Sequence, residues 1–363
     1  MQLGPFDQVA KALAQRPHLE VIARGGFPPP VSVKIELTSV CNHDCHFCAY
    51  RRIVSDPQVK DRLDGDRVLE LVDELAAAGV QGVMFTGGGE PLLHPRADEI
   101  LSRCRALGLA HALITNGSRL SRLADETLRG LRWVRFSINA GDAEGYARVH
   151  GVGVEAWDAV WEQVRRAADR SRFPALTVGV SFVVTSWNAG GIERSAELAR
   201  DSGAAYVHFR PAFQGPDTEL DRQLDPVEIE AIVARLQALP APGGRFSVYG
   251  ITRRFHEIVG ATSPSPAARE HIHCRSTPLV AYVLPDGKVS ICTMVRSASF
   301  NPRVPDPFLG SLKEARFMDL WGTEHHRAII RGLSTSGCTR CHFAEYNRAL
   351  AMVERDELHV RFL

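Results

Sequence analysis

Val31-Ser32-Val33-Lys34-Ile35-Glu36-Leu37-Thr38-Ser39-Val40-Cys41-Asn42-His43-Asp44-Cys45-His46-Phe47-Cys48 is the stretch on which the reading of this chain turns. Its first half alternates apolar and polar residues as a strand does, and its second half gathers Cys41, Cys45 and Cys48 on the loop that follows. Three thiolates on so short a loop can wrap one iron-sulfur cube and leave its fourth iron without a protein ligand. A zinc site completed by His43 or His46 is the competing reading of the same residues.

Downstream, the first strand, residues 31–38, is followed by strand-like runs at 81–86, 111–115, 133–139, 177–185 and 206–211. Apolar residues at helical spacing fill 66–78, 97–107, 124–131, 156–170, 191–202 and 226–239. This alternation predicts an α/β fold, a partial (β/α)6 barrel of the TIM type, although spacing alone leaves a doubly wound open sheet as an alternative. Residues 1–30 read as a short helical lead-in and 31–240 as the barrel. Pro240, Pro242, Gly243, Gly244, Pro264 and Pro266 mark a boundary, so 241–363 reads as a linker and a small cysteine-rich domain. That domain holds an expected hairpin over 279–295, turned at Pro285-Asp286-Gly287, and helical patterns around Cys338 and Cys341.

The bulk composition narrows the partners. Lys+Arg number 43 against 42 Asp+Glu in 363 residues, a formal charge of +1, which gives no global attraction to nucleic acid or to an anionic membrane. No apolar run approaches the roughly 18 to 20 residues of a membrane span, so the expectation is a cytoplasmic protein with no membrane and no nucleic-acid partner. Seven of the eight cysteines fall into two groups with short ligand-like spacings, which favours metal ligation over disulfides.

Other candidate residues sit at the predicted strand ends, the edge where barrel active sites form. Strand two ends in Phe85-Thr86-Gly87-Gly88-Gly89-Glu90-Pro91, where glycines let backbone approach a ligand and Glu90 can accept from an ammonium. Strand three ends in Thr115-Asn116-Gly117. Strand four ends in Ser137-Ile138-Asn139-Ala140, followed by a helix with Tyr146, Arg148 and His150. His208 and Arg210 at the end of strand six are nominated as substrate contacts, against the plainer role of a surface ion-pair partner for the arginine. Gly151-Val152-Gly153-Val154-Glu155-Ala156 mimics a dinucleotide fingerprint but follows a helix rather than a strand, so no nicotinamide site is expected. Cys274, Cys292, Cys338 and Cys341 supply four thiolates, enough for a second cube or for a structural zinc. Cys104, the remaining thiol, shares an apolar helical stripe with Ile100 and Leu107 and should pack on the outside of the sheet.

The run Cys-x-x-x-Cys-x-Phe-Cys at the end of a first strand resembles the signature of the radical S-adenosylmethionine superfamily. The resemblance implies that the open iron chelates the methionine moiety of S-adenosylmethionine and that Phe47 lies beside the adenine. It implies that Gly88, Gly89 and Glu90 bind the methionine amino group, that Asn116 and Ser137 join the cofactor contacts, and that Arg148 meets the carboxylate. Asn139 stands where the family often has aspartate, a departure attributable to substrate or ribose contacts or to a plain strand-end turn. Cys274 followed by Gly287, Cys292 and then Cys338-x-x-Cys341 resembles the SPASM auxiliary-cluster domain in its short twitch form, and Leu309-Gly310-Ser311-Leu312 and Asp319-Leu320-Trp321 are similar to its connecting segment.

Two 4Fe-4S clusters, S-adenosylmethionine and an external one-electron reductant such as flavodoxin or ferredoxin are the implied partners, beside a small-molecule substrate. The implied chemistry is a 5'-deoxyadenosyl radical that abstracts hydrogen from an unactivated carbon. By similarity to aminoglycoside-pathway dehydrogenases of antibiotic biosynthesis, the expected outcome is oxidation of a sugar or aminocyclitol alcohol to a ketone, with an electron passing to the second cluster. Redox-neutral epimerisation needs a hydrogen donor, for which Cys104 is the one spare thiol. Ribosomal-peptide modification usually needs a leader-binding domain, for which residues 1–30 leave no room. The cyclase of molybdopterin biosynthesis is similar in outline but differs in C-terminal cysteine spacing and tail. Outside catalysis stands a zinc-stabilised binding protein.

Overall fold

A computed structural model of the chain describes residues 6–50, 56, 58–212, 224–239, 244–250, 255, 274–275, 277–292, 306–333, 343, 346–347 and 350. Within these, seven strands follow one another as parallel neighbours: β1 (Ser32–Ile35), β2 (Gly82–Phe85), β3 (Ala110–Thr115), β4 (Trp133–Ser137), β5 (Thr177–Val184), β6 (Tyr206–Pro211) and β7 (Ser247–Gly250). The sheet continues past β1 through β8 (Val280–Val283), β9 (Lys288–Ser290) and β10 (Phe308–Ser311) in the order β10-β9-β8-β1, and then on to β7 at the far side. It is an open partial barrel, as the strand-helix alternation implies. Six of its parallel strands are those expected, and β7 adds a seventh beyond the boundary placed at residue 240, hydrogen-bonded to β6 from Tyr206↔Ser247 onward.

Two short helices, α1 (Gln8–Leu13) and α2 (Arg16–Ala23), lead in. The crossover helices are α3 (Gly65–Ala77), α4 (Ala97–Ala106), α5 (Asp125–Gly130), α6 (Ala143–His150), α7 (Ala156–Ala168), α8 (Ile192–Asp201) and α9 (Pro226–Ala238), with α10 (Phe317–Leu320) and α11 (Glu324–Gly332) after the hairpin. Local chemistry starts them where the periodicity requires. Asp64 caps α3 by accepting from Arg67 N, and Asp225 with Glu228 forms a capping box before α9. The helices bury an apolar stripe against one face of the sheet, for example Val68, Leu71, Val72 and Leu75 of α3, which share one core with Val33 and Ile35 of β1. Cys104 of α4 is fully buried in that outer layer, as its stripe predicts.

The hairpin forms where Pro285-Asp286-Gly287 predicts it, with Gly287 at φ +92° and its N–H donating to Leu284 O. β8 runs parallel to β1 in the register Lys34↔Tyr282, and β9 is antiparallel to β8, so the hairpin extends the barrel's own sheet. This pairing fixes where Cys274 and Cys292 sit. Cys274 precedes β8 and Cys292 follows β9, so both lie at the edge opposite the Cys41–Cys48 loop, with the inner face of the sheet between them. Both pack against the core, and Asn347, fully buried, reaches Cys274 Sγ with its amide and accepts from Arg275 N. Cys338 and Cys341 lie outside the described residues.

The inner face is polar. Lys34 donates to the Tyr282 hydroxyl, and Arg135 of β4 lies under the rings of Phe6 and Trp133. Phe6, just ahead of α1, also stacks on His208 at 4.1 Å and meets Tyr206 and Tyr249.

Candidate active site

The C-terminal ends of β1 to β4 converge on the cysteine loop. Glycines make the convergence possible: a Cβ at Gly89 would fall 2.3 Å from Val40 O and 2.6 Å from Thr38 O, both carbonyls of that loop. The sequence reading gave these glycines to a bound ligand; the close approach at Gly89 is to the protein's own backbone. Glu90 N donates to Val40 O, sealing the contact. Gly87, at φ +140°, lies against the Glu36 side chain, whose carboxylate accepts from Gly88 N.

Glu90 is buried, and its carboxylate accepts from Leu92 N at 3.0 Å, the Thr115 hydroxyl at 2.7 Å and Asn116 N at 2.7 Å. Burial pushes its pKa up, opposed by these three donors. One of about four acceptor positions of the carboxylate remains for anything else, so Glu90 is first a brace between the ends of β2 and β3. Asn116 is a brace as well: its amide nitrogen donates to Asn42 Oδ1 inside the cysteine loop, and its oxygen accepts from Ser118 N and Oγ.

The far side of the loop rests on the C-terminus of α6. Asp44 N donates to His150 O and His46 N to Val149 O, satisfying carbonyls that a helix end leaves open. Gly151 ends α6 at φ +62°, and a Cβ there would be 2.7 Å from Asp44 O. The glycine pair that mimicked a dinucleotide fingerprint thus begins with a left-handed helix cap against which the loop packs.

Burial first, then the neighbouring Cys48 and Cys41 thiols, push the Cys45 thiol well above its ordinary pKa, so Cys45 feels both of the other sulfurs. Burial also raises the Cys41 thiol, against the pull of the His43 and Asn42 backbone N–H groups and the Asn116 amide. Such thiols become thiolates only when a cationic group arrives to hold them.

His150, one turn beyond Tyr146 and stacked on it at 4.2 Å, is the residue of α6 that reaches the cysteines: its Nδ1 lies 3.3 Å from Cys45 Sγ and 3.4 Å from His43 Nδ1. Arg148, expected at the cofactor carboxylate, is exposed on the other side of α6. Asn139 is buried with its amide used inside the protein, Nδ2 on His150 Nε2 at 3.0 Å and Oδ1 accepting from Val183 N at 2.6 Å. Phe47 is half-buried with its ring edge-on to His150, and Ser137 ends β4 half-buried. His208 is 4% exposed beneath Phe6, which covers the face expected to meet substrate, while Arg210 is half-buried two residues nearer the active edge.

The ligand atoms of His43, Cys45 and His150 lie within 4.8 Å of one another, as a single metal ion would require. The His150 tautomer argues against one. Asn139 N and Nδ2 both point at Nε2, which must accept, so the ring proton of the neutral imidazole is on Nδ1 and that nitrogen cannot ligate. Burial holds His150 well below its usual pKa, and His43 is lowered by burial to about 4, so both rings are neutral near pH 7. Three thiols on one loop, Cys45 within electrostatic reach of the other two, and a neutral N–H donor beside Cys45 fit an iron-sulfur group better than zinc.

Comparison with known proteins agrees. Residues 35–199 match the model of the Radical SAM superfamily, and residues 274–342 match that of the SPASM iron-sulfur cluster-binding domain. A probable GTP 3',8-cyclase of Saccharolobus islandicus (strain M.14.25 / Kamchatka #1) is 30% identical over 183 residues, 50% of this chain and 56% of that one. An S-adenosylmethionine-dependent nucleotide dehydratase of Flammeovirga pacifica is 34% identical over 112 residues, 30% of this chain and 38% of that one. The chain thus spans little more than half the length of the first of these curated relatives and less of the second. Among solved structures, Streptococcus suis SuiB bound to S-adenosylmethionine superposes with a TM-score of 0.64 at 12% identity, covering 98% of this chain and 82% of SuiB. Native anSMEcpe with bound AdoMet gives 0.56 at 19% identity, covering 83% of each chain. These two likenesses concern the fold. The two matched domains imply S-adenosylmethionine and iron-sulfur clusters as cofactors. Among the described residues no helix is long and apolar enough to cross a membrane.

Proposed function

We propose that this chain, a radical S-adenosylmethionine enzyme with an iron-sulfur cluster-binding domain, oxidises an alcohol carbon of a small polar substrate to a ketone. When bound, the first cluster and S-adenosylmethionine supply the 5'-deoxyadenosyl radical that takes the hydrogen atom from the carbinol carbon. Reaching the ketone would then require a base for the hydroxyl proton and an acceptor for one electron, a role the second cluster would supply, which balances the oxidation. Cys41, Cys45 and Cys48 would hold the first cluster, and Cys274 and Cys292, with Cys338 and Cys341 of the same matched domain, the second.

The observation that carries this reading is that Cys274 and Cys292 lie at the sheet edge opposite the loop of Cys41, Cys45 and Cys48. A substrate on the polar inner face, near Lys34, Ser181 and Arg210, would lie between the edge where hydrogen is removed and the edge where the electron leaves. The chain's own contribution is to hold the target carbon and to exclude water. Cys104, buried in the outer helical layer, is poorly placed to return a hydrogen atom, which favours net oxidation over epimerisation.

A second reading, conversion of a nucleotide, is favoured by Arg135. Its guanidinium is buried on the inner face, where burial lowers its pKa and the partner that counteracts this is the Tyr206 hydroxyl rather than a carboxylate. A cation held this way suits a phosphate-bearing substrate, and both curated relatives named above carry nucleotide activities in their names. One assay separates the readings: anaerobic incubation with S-adenosylmethionine, a reductant and two panels, aminocyclitol or sugar alcohols and nucleoside triphosphates. Equimolar 5'-deoxyadenosine and a product lighter by two hydrogens support the oxidation. A product isomeric with its substrate overturns it, and a cyclised or dehydrated nucleotide establishes the second reading.

A further inference from the structure

We propose that His150 donates a hydrogen bond from Nδ1 to the Cys45 sulfur and thereby sets the reduction potential of the cluster that Cys45 would hold. The inference rests on the reading of Cys41, Cys45 and Cys48 as cluster ligands and goes beyond it. The direction of the bond follows from the other end of the ring. Nε2 of His150 faces the backbone N–H of Asn139 at 3.3 Å and its side-chain nitrogen at 3.0 Å. The amide of Asn139 cannot be turned the other way, because its oxygen accepts from the backbone N–H of Val183 at 2.6 Å. Asn188 Nδ2 in turn donates to both Asn139 O and Val183 O at 2.8 Å, locking the end of β4 to that of β5. With Nε2 an acceptor, the imidazole proton sits on Nδ1, 3.3 Å from Cys45 Sγ. His43 Nδ1, at 3.4 Å, is the other acceptor within reach, and a metal-bound thiolate outcompetes a neutral imidazole nitrogen for the donor.

The arrangement explains why asparagine rather than aspartate stands just after β4. A carboxylate would pull the ring proton to Nε2 and leave a lone pair facing the sulfur; the amide pushes it to Nδ1. His150 is 1% exposed, walled by the Tyr146 ring at 4.2 Å and the Phe47 ring at 5.8 Å, so water does not share the bond. A donor on a ligating sulfur draws charge from it and favours the reduced cluster, raising the potential. His150 is therefore a positioning residue that acts through Cys45.

The test uses the full chain, reconstituted anaerobically, and reads the paramagnetic signal of the reduced cluster that S-adenosylmethionine perturbs. His150→Phe keeps a ring against Tyr146 and removes the donor, and the expected result is a midpoint potential shifted to a more negative value with iron content retained. An unchanged potential overturns the proposal. Because this variant can lose its cluster through misfolding, the unmodified sequence carrying 15N-histidine provides a second measurement, pulsed electron paramagnetic resonance without S-adenosylmethionine. Coupling of the reduced cluster to one histidine nitrogen, abolished in His150→Phe and kept in His43→Phe, supports the proposal. Its absence, or its loss in His43→Phe alone, overturns it. A chain that binds no iron at all would instead overturn the cluster reading on which the proposal stands.

Discussion

Gly151→Ala should cost stability in two separable parts, and Gly108→Ala measures one of them alone. Gly108 lies at φ +67° with no atom within 4 Å of a new Cβ, so alanine there bears only the left-handed backbone penalty, about 1 to 2 kcal/mol. Gly151, at φ +62°, bears the same penalty and also drives its Cβ to 2.7 Å from the Asp44 carbonyl oxygen, a backbone atom that cannot rotate away. Relieving that overlap adds about 1 to 3 kcal/mol, as overpacking usually does. With about 2.1 cal/mol/K of unfolding entropy per residue, 363 residues give about 0.76 kcal/mol/K, so each kcal/mol lowers Tm by about 1.3 °C. Gly108→Ala should then lose about 1 to 3 °C and Gly151→Ala about 3 to 7 °C. The added loss has a functional counterpart, because the displaced Asp44 carries with it the Asp44 N to His150 O and His46 N to Val149 O bonds that seat the cysteine loop. Iron per chain after anaerobic reconstitution should fall in Gly151→Ala and stay intact in Gly108→Ala. Equal Tm losses with full iron in both variants would refute the claim that the α6 cap seats the loop.

Cys104→Ser should leave 5'-deoxyadenosine formation and product yield unchanged while lowering stability by about 1 to 3 kcal/mol, the cost of a hydroxyl among apolar neighbours; loss of product formation in a folded variant would restore this thiol, whose pKa burial raises to about 12, as a hydrogen donor. Glu74→Ala should destabilise by about 2 to 4 kcal/mol in denaturant unfolding, since the buried carboxylate of α3 accepts from Arg67 at 3.0 Å and from Phe317 N at 2.7 Å, joining the barrel to the segment after the hairpin; a change below about 0.5 kcal/mol would show that this junction is not a stabilising one.

The strand and helix periods were legible because each element faces one environment. Residues 206–211 were delimited to the residue and the helix expected at 66–78 forms as Gly65–Ala77. What escaped was set by partners distant in sequence. β7 is four residues long and follows a proline- and glycine-rich stretch, so its own pattern is too short to outweigh the breakers around it; it forms because β6 offers an open edge. The hairpin is visible in its turn residues, but its pairing with β1 is a contact between residues nearly 250 positions apart, which no local pattern encodes. On α6 the helical spacing itself sorts the side chains. Tyr146 and His150 share a face with Val149, at helical spacing, while Arg148 falls on the opposite side. The apolar stripe thus turns the histidine inward and leaves the arginine exposed.

The cysteine loop has little regular structure of its own, and the surrounding units supply its shape. Gly89 and Glu90 meet it from the end of β2, Asn116 reaches Asn42 from the end of β3, and the open carbonyls of α6 take the N–H groups of Asp44 and His46. A further edge is closed where Ser39 N and the Thr38 hydroxyl both bond Asp61 O. Each tie is individually worth only about 0.5 to 1.5 kcal/mol, yet together they fix backbone that would otherwise cost about 1 to 2 kcal/mol per residue to order when a cluster arrives. The same units that make the barrel therefore carry the entropic cost of the site before any ligand binds. This explains why glycines at Gly89 and Gly151, far apart in sequence, answer to one loop: each lets a neighbouring unit press against the backbone that carries the three thiols.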